Sequence, residues 1–194
     1  MSIVSPFRLA LEPEAFQLLG GCTEIVRRLS DMRDFFADEQ AVERVLTSDD
    51  PVIYEFWKGE CESSGGGVSY GLTRIHPGTV GREYHMTKGH FHTKAGDEIY
   101  VVVEGRGLLL LQTREGEGRT VEMTPGHMVY VPTGWAHRTV NTGDAALIFL
   151  SIWPPGVGHD YGTVARYGFP QLVVQGADGP MVVRSPSFQG GLMG

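Results

Sequence analysis

The chain has 194 residues, with 16 Lys and Arg against 23 Asp and Glu, a formal charge of −7 and a pI near 5.5. This balance argues against a general binder of nucleic acid or of anionic membranes. A hydrophobic share of 41% and a mean hydropathy of −0.11 exclude a chain disordered throughout and suit one domain with a substantial core.

In chain order, the start MSIVSPFRLALEPEAF is interrupted by Pro6, Arg8 and Glu12 before it could form a signal-peptide core, and no apolar run reaches membrane-spanning length. A cytoplasmic protein is expected. Residues 1–50 read as an N-terminal arm with short helices, lying on the main body or on a partner subunit. Between Thr23 and Leu46, Ile25, Leu29, Met32 and Phe36 fall at helical spacing, with Ser30 and Asp31 placed to interrupt or cap. Arg27 and Arg28 read as part of a solvated helix face. Cys22 and Cys61 lack the close spacing of a redox or zinc pair and are expected to be buried, reduced thiols.

From Val52 the pattern changes to short apolar strands: VIYEFW, VSYGLTRI, REYHM, EIYVVVEG, GLLLLQ, TVEM, HMVYV, HRTV and ALIFLSIW. Gly or Pro stands at most junctions, and Ser63 to Gly67 reads as a hairpin loop. The prediction is an all-β, antiparallel barrel or sandwich over residues 51–185, with a loose tail over 186–194. Trp57, Trp135 and Trp153 are assigned to the core.

All seven histidines follow residue 75. His90-Phe91-His92 sends two imidazoles to one face of a strand and the phenyl ring to the other. Glu98 opens the next strand, and a hairpin through Thr93 to Asp97 is expected to bring its carboxylate beside them. His137, after the turn VPTGWA, is the candidate fourth partner. Three imidazoles and a carboxylate suit Fe²⁺, Mn²⁺, Ni²⁺ or Zn²⁺ with open coordination positions. His76, His85 and His127 read as surface or hydrogen-bonded histidines.

Gly-His-Phe-His with Glu98 and Gly105 resembles the first cupin motif, and Gly126-x5-Pro132-x-Gly134-x2-His137-x3-Asn141 resembles the second. Five residues separate His92 from Glu98, where most cupins have three or four, which implies a longer loop beside the ligands. The strings YHMTKGHFH, EIYVVVEGRG, LLLQT, VYVP, WAHRTVN and GHDYGT resemble the cupin-type phosphoglucose isomerases. The resemblance implies a cupin jelly-roll barrel and a homodimer acting on a phosphosugar. Glucose 6-phosphate and fructose 6-phosphate would be interconverted, in glycolysis or gluconeogenesis. One divalent metal per subunit is implied, with Fe²⁺ favoured, on His90, His92, Glu98 and His137. Substrate contacts are implied at Tyr54, Thr73, Thr87, Gly89, Tyr100, His159 and Tyr161, the last two in a loop able to close over the sugar. An aromatic residue in the family pattern stands where this chain has Gly134, which implies a roomier pocket.

Isomerisation moves a hydrogen between adjacent carbons while negative charge grows on a sugar oxygen, a charge that a cation stabilises. Glu98 is the candidate acid and base of a cis-enediol route, or a ligand only in a hydride shift. Period 2 puts Tyr100 on the same face as Glu98. Thr73, Thr87 and the Gly89 N–H are the phosphate donors in the family reading. Strict alternation from His90 would instead present Lys88, so a bend near Gly89 is expected. The rival readings are another metal cupin, a mannose 6-phosphate isomerase or an iron-dependent oxygenase, and a non-catalytic sugar-phosphate binder. Nucleic acid and membranes are not expected partners.

Overall fold

Alternation of apolar and polar residues from Val52 onward resolves into antiparallel strands in the computed structural model, which describes residues 10–12, 17–19, 22–63, 66–186 and 188. β1 (Ala10–Glu12) and β2 (Gln17–Leu19) pair as a hairpin, and β3 (Thr23–Arg28) leads into a 3-10 helix (Leu29–Phe35) and α1 (Glu39–Leu46). The long hairpin β4 (Val52–Ser63) and β5 (Gly66–Ile75) follows, its tip at 64–65 outside the described residues. Next come β6 (Thr79–Val80), β7 (Glu83–Tyr84), β8 (Phe91–His92), β9 (Glu98–Glu104), β10 (Gly107–Gln112) and β11 (Gly118–Met123). The chain continues with β12 (Met128–Val131), β13 (Ala136–Asn141), β14 (Leu147–Trp153), β15 (His159–Asp160), α2 (Tyr161–Tyr167), β16 (Gln171–Gln175) and β17 (Pro180–Arg184).

Six strands form the larger sheet in the order β12-β9-β14-β5-β4-β3, and β11-β10-β13 form a second. Tyr100, Val102 and Phe149 from the first sheet and Leu109, Leu111 and Val140 from the second share one buried core. β17-β16-β7-β6 make a four-stranded sheet, and among the described residues β8 pairs only with β15. Two isolated backbone bridges, Met86 with Val140 and His90 with His137, fasten the 86–90 segment to β13. The result is the jelly-roll arrangement of a cupin. No helix among the described residues is long and apolar enough to cross a membrane.

Two local expectations change. Thr23–Arg28 is a strand, because its β-branched residues extend it along the open edge of β4, in register from Thr23 opposite Lys58. Helix begins only at Leu29, and the buried Leu29 and Met32, three residues apart, suit the three-residue turn of a 3-10 helix. Arg28 donates its N–H to the Asp31 carboxylate at 3.0 Å, holding the first turn. Asp38 then caps α1 by accepting from the Ala41 N–H at 2.8 Å. Cys22 and Cys61 are free and half-buried rather than buried, and they flank the Tyr70 hydroxyl. Most of the expected tail, residues 187 and 189–194, lies outside the described residues.

Asn141 ties three segments together from a fully buried position. Its side-chain amide donates to the Ile75 and Ala145 carbonyls and accepts from the Gly143 N–H, each at 2.9 Å. Asn141→Ala strands these groups and is expected to cost about 2–4 kcal/mol. A lowered urea midpoint at unchanged m-value would show this; an unmoved midpoint would contradict it.

Candidate active site

Backbone pairing assembles the cluster before any side chain is considered. His90 and His137 are directly opposed, each donating its N–H to the other's carbonyl, at 3.3 and 3.1 Å. His92 pairs with His159 through β8 and β15. Glu98 arrives from the other layer, as the first residue of β9, which pairs with β12 and β14 and not with β8. The expected His92–Glu98 hairpin is therefore absent, and the two residues meet across the barrel interior instead. The donor atoms of His90, His92, Glu98 and His137 all lie within 4.8 Å of one another.

Three of these atoms carry the fit to a cation. The Nε2 atoms of His90, His92 and His137 are buried and make no hydrogen bond. Glu98 Oε2 stands 3.5 Å from His92 Nε2 and 3.2 Å from His137 Nε2, close enough for charge attraction but outside hydrogen-bonding geometry. Nδ1 of His92 lies 2.9 Å from the Gly96 carbonyl, and Nδ1 of His137 lies 3.4 Å from that of Trp135. A carbonyl can only accept, so it places the ring proton on Nδ1 and leaves the Nε2 lone pair aimed at the cluster. Buried, unpartnered lone pairs converging on one carboxylate are what a divalent ion requires.

The longer loop between His92 and Glu98 is held firmly. Gly96 donates to Thr133 Oγ1 at 2.9 Å, while the Thr133 N–H and hydroxyl both reach Asp97 Oδ1 at 2.8 Å. Lys94 donates its N–H to the Val157 carbonyl at 2.9 Å. Thr133 thus supports the carbonyl that orients His92, a role nothing in its spacing announced.

Charges in the cluster oppose burial in different ways. Burial raises the Glu98 carboxyl, but His137 and His92 more than offset it and hold it at about 2. Burial drives His90 well below an ordinary imidazole, helped by His137, His159 and His92. Burial also takes His159 down to about 4. His92 is drawn downward by burial but ends raised, because Glu98 and the Gly96 carbonyl favour its cation. Tyr100, buried beside Glu98, is pushed far up, and burial lifts Tyr54 to about 12.

Above the cluster opens a cavity of about 250 Å³, the scale of a small sugar phosphate rather than a dinucleotide. Tyr54, Thr73, Thr87, Gly89, Tyr100, His159 and Tyr161 all line it, together with His90, Glu98 and His137. His92 is not among its walls and faces the cluster from behind. Gly89, at φ +71°, breaks the alternation, so both Thr87 and Lys88 border the cavity. His159 and Tyr161 do not form a free loop. β15 fixes the first, and Tyr161 opens α2, capped by Asp160 accepting from the Thr163 N–H at 3.0 Å. Gly134 is not a cavity residue; it sits at φ +90° in a turn facing open space.

Several wall residues escaped the sequence reading. Trp153 is buried, as expected of a core residue, and also lines the cavity while edge-on to His159, their centroids 6.5 Å apart. Lys58 and Lys88 supply positive charge, Lys58 being paired with Glu60 at 2.7 Å. Arg27 is half-buried on the inward face of β3 and lines an adjoining recess with Tyr54, Lys88 and Tyr161, not a solvated helix face. Register makes this so, because Arg27 lies opposite Tyr54. His76, His85 and His127 stay outside the cluster, near Glu55 (3.0 Å), the His76 carbonyl (3.1 Å) and Thr124 (2.8 Å) respectively.

Fold and ligand cluster together define a cupin with a candidate metal centre. The family model for Glucose-6-phosphate isomerase (GPI) matches residues 26–185. The chain is 46% identical over 173 residues to a glucose-6-phosphate isomerase of Pyrococcus abyssi, covering 89% of this chain and 92% of that one. It is 45% identical over 185 residues to that of Thermococcus litoralis, covering 95% and 96%. Among solved structures, an oxalate oxidase superposes with a TM-score of 0.50 at 18% identity over 63% of this chain and 61% of that one, a likeness of fold. The chain belongs to the glucose-6-phosphate isomerase family, of the cupin type.

The lowered imidazoles make a prediction for the metal-stripped protein. His85, His90 and His159 are held below 6.5 by burial, against His92 alone raised. Between about pH 6.5 and 4 the unfolded chain binds protons that the folded chain refuses, so stability falls as pH falls through that window. The urea midpoint should drop from pH 7 to pH 4.5, and His159→Gln should flatten the drop. A midpoint constant across this range would contradict the assignment.

Proposed function

We propose that this protein interconverts glucose 6-phosphate and fructose 6-phosphate, using one divalent ion per subunit held by His90, His92, Glu98 and His137. The observation that carries this reading is three buried, unpartnered imidazole nitrogens facing one carboxylate beneath a cavity rich in hydroxyl and cationic groups. Iron(II) is the favoured metal, ahead of manganese, nickel and zinc, all compatible with three nitrogens and one oxygen. The bound ion supplies Lewis-acid stabilisation of negative charge on the sugar oxygens.

The remaining work falls to side chains. Glu98, ionised and on the cavity wall, takes and returns the proton exchanged between the first two carbons. Tyr100 keeps its phenolic proton and donates it as a hydrogen bond toward the carboxylate or the sugar. His159, a free base at neutral pH, accepts the anomeric hydroxyl proton as the bond from the anomeric carbon to the ring oxygen breaks, and returns that proton to the ring oxygen. Thr73, Thr87 and the Gly89 N–H bind the phosphate, while Lys88 and Arg27 supply local positive charge in a chain of net charge −7. Tyr54 and Tyr161 line both the cavity and the recess that holds Arg27.

The protein is further proposed to act in the cytoplasm, in glycolysis or gluconeogenesis, as a homodimer in which residues 1–50 lie as an arm on the barrel or partner. Support for the dimer comes from the outer face of the large sheet, where Ile99, Val103, Met128, Tyr130 and Ile152 are exposed. Light scattering is expected to give twice the 21.2 kDa chain mass, shifted toward the monomer by Met128→Glu. A wild-type monomer at micromolar concentration would contradict the dimer.

The activity is tested by following glucose 6-phosphate formed from fructose 6-phosphate, with stripped protein refilled anaerobically with each metal. Metal should restore turnover. His92→Ala should lower it by more than about 100-fold, since residues behind metal ligands alone are worth about 10–100-fold. Metal uptake without turnover on this pair would overturn the reading.

A further inference from the structure

Arg138 lies on β13 between the ligand His137 and Thr139, with only 1% of its surface exposed. Among the described residues no carboxylate lies within ion-pair distance of it, although the buried Glu83 is near enough for its charge to favour the guanidinium. Instead Nε and Nη2 both donate to the Lys88 carbonyl, at 3.2 and 2.9 Å, and Nη1 donates to the Phe35 carbonyl at 3.4 Å. The guanidinium lies against the rings of Phe169 and Phe35, 4.7 and 5.9 Å from their centroids. Burying a charge without a carboxylate in direct contact is costly. A residue present only to fill space at this position would be apolar.

The two-donor grip has a geometric consequence at the next atom of the chain. Lys88 C=O and Gly89 N–H belong to one peptide unit, and a trans unit points them in opposite directions. With the carbonyl turned onto Arg138, the Gly89 N–H is turned away from it. Gly89 borders the cavity, and its N–H has no acceptor among the described residues. The unit is also pressed against its support: a Cβ at Gly89 would fall 2.9 Å from Arg138 Cβ, the His137 carbonyl and Phe169 Cε2. Beside it the Thr87 hydroxyl oxygen accepts from the Thr139 N–H at 3.1 Å, leaving its proton free to donate.

We infer that Arg138 is a positioning residue for recognition of the substrate's phosphate, its guanidinium orienting the Lys88–Gly89 peptide so that the Gly89 N–H is presented to the anion. The inference rests on the isomerase reading for its substrate, but its test does not need turnover. Arg138→Lys replaces the planar fork with a single ammonium and loses the two-point hold.

In the metal-loaded protein, the Michaelis constant for fructose 6-phosphate is expected to rise at least 10-fold in Arg138→Lys, with kcat changed less than 3-fold. Inorganic phosphate titrated into ¹⁵N-labelled wild-type protein should move the Gly89 amide resonance, and in the variant that movement should be lost. A variant with kcat reduced and the Michaelis constant unchanged overturns the proposal. So does a wild-type Gly89 resonance unmoved at saturating phosphate, a measurement that stands whether or not the variant folds. A wild-type protein that shows the phosphate-dependent shift but no isomerase activity would sink the proposed reaction and leave the positioning role intact.

Discussion

The reciprocal pair of backbone hydrogen bonds between His90 and His137 is the constraint on which the rest of the site depends. It joins two segments 47 positions apart in the chain and sets both imidazoles side by side, with ring centroids 4.4 Å apart. From that pair, the alternation of β8 brings in His92, and the pairing of β8 with β15 brings in His159. Only Glu98 comes from the opposite layer. A slip of one residue between the 86–90 segment and β13 would turn the ligands away and expose the buried Met86 and Val140, so register and core packing enforce the same geometry.

Electrostatics explains why so acidic a chain can hold an anionic substrate. The cavity wall carries one carboxylate, Glu98, enclosed by imidazoles, whereas Lys88 borders the cavity and joins Arg27 in an adjoining recess. A sugar phosphate in the cavity would therefore meet cationic and hydroxyl groups as well as the ligand cluster. Buried charges at Glu98 and Arg138 are each surrounded by groups that favour them, histidines in one case, carbonyls and the Glu83 carboxylate in the other.

Much of this architecture was legible in the sequence, because strand alternation and glycine punctuation are local signals. The strands from Val52 to Trp153 follow that pattern, and the spacing of His90, His92, Glu98 and His137 pointed to the cluster that the structure gathers. What could not be read depends on pairing between distant segments. Ile25, Leu29 and Met32 fit a helix until β4 offers Thr23–Arg28 an edge to join. Arg27 looked solvated for the same reason. Arg138 gave no signal either, since its value lies in a carbonyl fifty residues away. Tyr161 appeared to sit in a loop because the capping Asp160 and the helix it starts are short.

The proposed chemistry depends on these four side chains holding one divalent ion in each subunit. Anaerobic calorimetric titration of manganese into chelator-stripped protein tests it most directly. One ion bound per chain is expected in the wild type, and none at the same concentrations in His137→Ala. Undiminished stoichiometric binding by His137→Ala, or no binding by the wild type, would contradict it.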